Sequence, residues 1–190
     1  MSYDAADVLV STTRKGIYSV HGIDNEHMPG VVEQLRELPV TVLKLVSPQL
    51  TDSTVPLLRA LTNLKELHLK DAPVKDRGVG ALATLTQLQI LNLEGTKIDG
   101  SCLQLLKPLT NLLQLNLRKT KVTDAAIYHL PAWPRLTRLD LSDTPITDAC
   151  LDFIYRMPKL ETLLLYRTAV SFEKLAEVAE KRPKLQVCIR

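Results

Sequence analysis

The chain has 190 residues, enough for one domain, and 45% of them are hydrophobic, which excludes a wholly disordered chain. The 24 Lys and Arg stand against 21 Asp and Glu, a net charge of +3 that is too balanced for a binder of nucleic acid or of an anionic membrane. With 36 leucines, 4% aromatics and 7 glycines, the core is aliphatic and glycine-rich phosphate loops are scarce.

The chain opens with Met-Ser-Tyr-Asp-Ala-Ala-Asp, two acids where a secretory signal carries basic residues, and the apolar run at 8–10 is too short for a signal core. No stretch approaches the roughly 18 apolar residues of a membrane-spanning helix. Cys102, Cys150 and Cys188 form neither a CxxC pair nor an even disulfide set, so a reduced compartment, the cytoplasm, is expected. Residues 4–15 hold a candidate edge strand at 8–10. Residues 17–39 read as a degenerate repeat at an offset of 23, with Ile17 and Val20 at positions 1 and 4, and Val32, Leu35 and Leu38 at positions 16, 19 and 22.

From residue 40 the pattern becomes regular. Val40, Leu64, Leu88, Leu112, Leu136 and Leu160 are 24 residues apart and define position 1 of six repeats. Position 4 is Leu43, Leu67, Leu91, Leu115, Leu139 and Leu163, and position 6 is Leu45, Leu69, Leu93, Leu117, Leu141 and Leu165. Positions 11, 16 and 19 are also apolar throughout. A spacing of two puts positions 4 and 6 on one face of a short strand. Positions 16, 19 and 22 follow the spacing of one helix face. Pairs such as Thr51-Asp52, Thr123-Asp124 and Thr147-Asp148 supply oxygens for a helix start. One strand and one helix bury nothing alone, so the repeats must stack. Helices are wider than strands, roughly 8–10 Å against about 4.8 Å, and the stack curves with its strands inside.

The pattern Leu-x-x-Leu-x-Leu-x-x-Thr-x-Ile resembles the leucine-rich repeat. Thr96, Thr120, Thr144 and Thr168 stand at position 9, where that family often has Asn or Cys; Pro48 and Ala72 occupy it in the first two repeats. The Thr-Asp element is similar to the repeats of predicted planctomycete proteins and to the cysteine-containing repeats of F-box proteins. The resemblance covers about 170 residues. It implies an α/β leucine-rich repeat solenoid, a horseshoe with a parallel concave sheet and convex helices: residues 1–39 as an N-terminal cap, 40–184 as six repeats and 185–190 as a C-terminal cap strand. Caps at both ends lead us to expect a complete protein.

The expected function is a monomeric protein-binding module that uses its concave face, with an unknown protein partner, no nucleic acid, no membrane and no cofactor. A ubiquitin-ligase substrate subunit is the alternative by resemblance, but it needs an F-box helix bundle that the 16 residues before Ile17 are too few to form. Positions 2, 3, 5, 7 and 8 are expected on the concave face, with seven basic and six acidic residues among them. His68, Asp140 and Ser142 make no triad: His68 and Asp140 are three rungs apart, roughly 14 Å, where hydrogen-bond reach is about 3 Å. The histidines show no i, i+4 pair for a metal. Gly78-x-Gly80-x-x-Ala83 matches a dinucleotide fingerprint only formally, because Pro73 and Asp76 separate it from the strand; a small residue at a crowded helix contact explains Gly78. Lys70, Glu94 and Arg118 share a column, and the sequence leaves open a charged binding stripe or a salt-bridge ladder. The expected partner-binding set is Arg138, Asp140, Leu164, Tyr166 and Arg167, with Arg118, Glu94 and His68 beside it. Leu164 and Tyr166 enter it as apolar anchors on an exposed strand face, unless the last few residues cover them.

Overall fold

The computed structural model describes residues 9–14 and 16–189, with side chains from residue 16 onward. Strand β1 (Leu9–Arg14) runs antiparallel to β2 (Ile17–His21); Val8, included in the expected edge strand, and Arg190 lie outside the described residues. From β3 on, each strand is parallel to the one before it. β3 (Val42–Val46), β4 (Glu66–His68), β5 (Ile90–Asn92), β6 (Gln114–Asn116), β7 (Arg138–Asp140), β8 (Thr162–Leu164) and β9 (Gln186–Cys188) follow in chain order in a single nine-stranded sheet. The pairs Leu43↔Leu67, Leu67↔Leu91, Leu91↔Leu115, Leu115↔Leu139 and Leu139↔Leu163 carry the 24-residue period into space.

The six apolar columns form the core. Every member is buried except Val170 and Leu175, both in the last repeat. Leu175 borders an apolar groove shared with Phe172, Val187 and Ile189.

The degenerate first repeat departs from its expected register. Tyr18 lies opposite Leu43 and Val20 opposite Leu45, an offset of 25 rather than 23. A shift of two keeps the same side chains facing inward, so the apolar alternation does not distinguish the two registers. Helix α1 (Met28–Arg36) buries Met28, Val31, Val32 and Leu35, and leaves the expected core residue Leu38 42% exposed beyond its end.

The outer layer is thinner than a row of regular α-helices. 3-10 turns occupy Val55–Ala60, Ala81–Thr84, Leu103–Leu106 and Asp148–Arg156; α2 (Asp76–Gly80) and α3 (Asp124–Tyr128) are single short turns, and among the described residues only α1 and α4 (Phe172–Lys181) are longer α-helices. A 3-10 turn rises about 2.0 Å per residue against 1.5 Å, so a few residues suffice to cross the outer side of each repeat.

The acids at position 13 act between repeats. Asp52 accepts the N–H of Lys75, Asp124 the N–H and hydroxyl of Thr147, and Asp148 the N–H and hydroxyl of Ser171. Asp76 takes three N–H groups of the next loop, from Asp99, Gly100 and Cys102, at 2.9–3.0 Å. Burial acts to raise the Asp76 pKa, and these donors outweigh it and hold the carboxyl below its ordinary value. The column breaks at Gly100, which adopts φ +98 and whose Cβ would stand 2.5 Å from that of Ala126.

Position 9 threonines close their own turns: Thr96 donates to the Leu93 carbonyl at 2.7 Å and Thr120 to that of Leu117 at 2.6 Å. Each hydroxyl therefore serves its own repeat and no ladder runs between them. Position 8 lies beyond the strand, in the left-handed region, at Asp71, Gly95, Lys119, Asp143 and Arg167. The expectation counted position 8 among the strand positions of the concave face; it belongs instead to the turn that follows each strand.

Candidate functional site

The exposed side of the sheet presents positions 3, 5 and 7. At position 5, His68, Asn92, Asn116 and Asp140 stand side by side on consecutive strands. Each Asx residue first serves its own backbone. Asn92 accepts the N–H of Glu94, Asn116 that of Arg118 and Asp140 that of Ser142, all at 2.9 Å through Oδ1. Such bonds turn the chain at the end of a strand. They also fix the amide orientation, because a backbone N–H only donates and the atom facing it must be oxygen. Each asparagine is thereby left with a free –NH2, and Asp140 with a free oxygen; none has another protein partner among the described residues.

These groups line a hollow of about 170 Å³ together with His68, Ile90, Gln114 and Arg138. Arg138 is exposed and makes no ion pair among the described residues. The His68 Nε2 is buried without a hydrogen-bond partner, and Glu66 lies 3.7 Å away, within ion-pair range but too far for a hydrogen bond. Burial, reinforced by Lys44, holds the His68 pKa below its ordinary value, so the ring is neutral at pH 7.

Position 7 resolves the two readings of the charged column. Lys70 and Glu94 pair at 3.2 Å, one rung of a ladder. Arg118 turns away from Glu94 to Asp143, at 2.8 Å. Arg167 holds the same carboxylate with two nitrogens, Nη2 at 2.9 Å. The Arg167 bonds, with those from Arg118, bring the Asp143 pKa down to about 2. Arg118 and Arg167 are thus engaged inside the chain.

Leu164 is 7% exposed, because β9 adds one more strand and sets Cys188 opposite it. The expectation of an exposed apolar anchor is corrected: the last strand covers it. Tyr166 stays half-buried, with burial and the nearby Cys188 raising its hydroxyl pKa. Ser142 is fully buried and accepts the Tyr166 N–H.

The arrangement therefore joins His68, Asp140 and Arg138 of the expected set in one hollow. It adds Asn92, Asn116 and Gln114, which the sequence reading left out. Two asparagines in the same column of consecutive repeats were the available signal. His68 and Asp140 are three strands apart, and the buried Ser142 hydroxyl is taken up by the Tyr166 N–H. Cys102 and Cys150 are buried free thiols, their pKa raised by burial and by the neighbouring Asp76 and Asp124, the opposite of a nucleophilic cysteine. Among the described residues no group of three or more His, Cys, Asp or Glu could hold a metal ion, and no helix is long and apolar enough to cross a membrane. Gly78 is small because a Cβ there would meet Asp52 Oδ1 at 2.7 Å and Val74 Cγ1 at 3.0 Å.

A leucine-rich repeat family model matches residues 60–83 and 135–151. No curated protein matches the chain. Among solved structures, internalin C2 of Listeria monocytogenes is similar over 89% of this chain and 69% of its own, with a TM-score of 0.65 and 24% identity. A leucine-rich repeat protein of Leptospira interrogans is similar over 83% of this chain, at the same TM-score and identity, and this chain spans 38% of it. The six apolar columns, the parallel sheet in 24-residue register and these likenesses agree: the chain has the fold of a leucine-rich repeat solenoid.

Proposed function

We propose that the chain is a protein-binding module whose partner docks on the concave strand face. One observation carries this reading: Asn92, Asn116, Asp140 and Arg138 converge on one hollow with hydrogen-bonding atoms that the fold does not use. Elsewhere the fold spends its polar groups on itself, at position 13 and around Asp143. Unused donors and acceptors in a fixed geometry suit recognition, because a partner that pairs them replaces water without ordering the site. The near balance of charge on this face favours a protein over a nucleic-acid backbone. The energetic centre lies toward β7 and β8, where exposed Arg138 adjoins Asp140 and the half-buried Tyr166 ring. Three free cysteines fit a reducing compartment, and we place the protein in the cytoplasm as a monomer.

The test compares variants on one captured partner. Arg138→Ala and Tyr166→Ala each weaken binding about thirty-fold, the effect of losing about 2 kcal/mol at a hot spot. Asp152→Ala, whose side chain is 72% exposed on the outer layer, leaves affinity unchanged. A partner that binds the Arg138→Ala, Tyr166→Ala double variant as tightly as wild type contradicts the concave site.

A further inference from the structure

The pattern of unused atoms specifies the chemistry of what enters the hollow. Asn116 and Asp140 are direct neighbours on β6 and β7, about 4.8 Å apart at the backbone. Both side chains are oriented by the same bond to their own strand end, at the same distance. Asn116 is left with a donor and Asp140, one strand over, with an acceptor. Side by side they form a donor–acceptor fork. Asn92 adds a second donor on the other side of Asn116, and the orphaned His68 Nε2 lies beyond it. The lining residues carry one positive group, Arg138, and one negative group, Asp140, so the hollow has no net charge to attract an ion.

We infer that this hollow binds the primary amide of an Asn or Gln side chain presented by the protein partner, its carbonyl received by the Asn116 –NH2 and its –NH2 by the free Asp140 oxygen. The inference rests on the concave docking surface proposed above. A primary amide carries its oxygen and one N–H on the same side, which matches the fork. A trans backbone amide points its N–H and C=O in opposite directions, and engages one arm at most. A carboxylate meets Asp140 as a like charge; an ammonium can pair with Asp140 but meets only donors at Asn116 and Asn92 and the like charge of Arg138. A volume of about 170 Å³ accepts a group of this size or a few waters.

The probes are N-acetyl-glutamine N-methylamide, its glutamate analogue and its norleucine analogue, each titrated into the isotope-labelled full chain up to about 100 mM, above the Kd expected for a single weak contact. The readout is the NMR shift of the Asn92 and Asn116 side-chain amides and of the His68 ring. The glutamine probe is expected to shift all three in a saturable way, and the other two probes to leave them in place. Asp140→Asn keeps the bond to the Ser142 N–H and turns the second arm into a donor. The preference is then expected to reverse, with the glutamate probe binding about tenfold tighter than the glutamine probe, the effect of one hydrogen bond gained and one lost. Equal responses to all three probes, no response to any (a hollow that holds water only), or an unchanged preference in Asp140→Asn would each overturn the inference. Failure here leaves the docking surface standing, because the Arg138 and Tyr166 variants test that face with the whole partner. Failure there, with a selective glutamine response here, separates the hollow from the partner's site.

Discussion

Two columns of Asx side chains run along this solenoid at the same 24-residue period, and they differ in what becomes of the second polar atom. At position 13, Asp76, Asp124 and Asp148 give both oxygens to the next repeat. At position 5, Asn92, Asn116 and Asp140 give one oxygen to their own strand end and keep the other atom free. The first column joins repeats and the second presents chemistry to the concave side. A periodic polar residue in a repeat protein thus either joins repeats or keeps an atom free, according to whether its neighbour repeat uses it up.

The largest effect belongs to neither column and sets the scale. Leu115→Ala, at the centre of the core, costs roughly 2–5 kcal/mol, whereas Lys121→Ala on the surface costs under about 0.5 kcal/mol. Coincident urea midpoints for the two would refute the register of the sheet. Next comes the gap in the outer column. Gly100→Asp matches the acids at this position in the flanking repeats, yet it is expected to destabilise by about 1–3 kcal/mol, because φ is +98 and the new Cβ meets Ala126. A gain in thermal stability would show instead that an acid fits there.

A smaller effect separates members of the outer column. Asp124→Asn is expected to cost less than about 1 kcal/mol, since the Thr147 hydroxyl can reverse and accept from the new –NH2. The smallest is a pH dependence. Folding lowers the Asp143 pKa from its ordinary 3.8 to about 2, so its bridge to Arg167 and Arg118 contributes above pH 3.8 and is lost as pH falls toward 2. The Tm difference between wild type and Asp143→Asn should therefore be present at pH 7 and shrink between pH 4 and pH 2, by an amount of the order of a surface network, about 1 kcal/mol or less. A difference that is constant with pH would place the bridge's contribution elsewhere.

The sheet, its register from β3 to β8 and the aliphatic core were legible from residues 40–184, because a column of leucines at a fixed period admits one stacking. The start was less legible. A shift of two residues preserves the side-chain alternation, so Val20 was open to two positions and only the turn at Gly16 and Thr41 settles it. The exposed anchor at Leu164 failed for another reason: a cap strand was expected at 185–190, but the sequence did not decide whether so few residues would cover Leu164, and the three of Gln186–Cys188 do. The pairing of Arg118 and Arg167 with Asp143 was not legible, because Asp143, one position off the strand, reaches both only after the left-handed turn at position 8. Asn92 and Asn116 lay outside the expected partner-binding set, since their free –NH2 groups exist only once the strand-end bonds have fixed their oxygens.

The contrast between the columns is tested most directly by the same isosteric exchange made in each. Asp76→Asn turns one of the oxygens receiving the Asp99, Gly100 and Cys102 N–H groups into a donor facing a donor, and should lower the free energy of urea unfolding at pH 7 by about 1–3 kcal/mol. Asp140→Asn alters only the atom that the fold leaves free, and should stay within about 0.5 kcal/mol of wild type. Equal losses in the two variants, or a larger loss in Asp140→Asn, would contradict the assignment of the outer column to stability and the concave column to recognition.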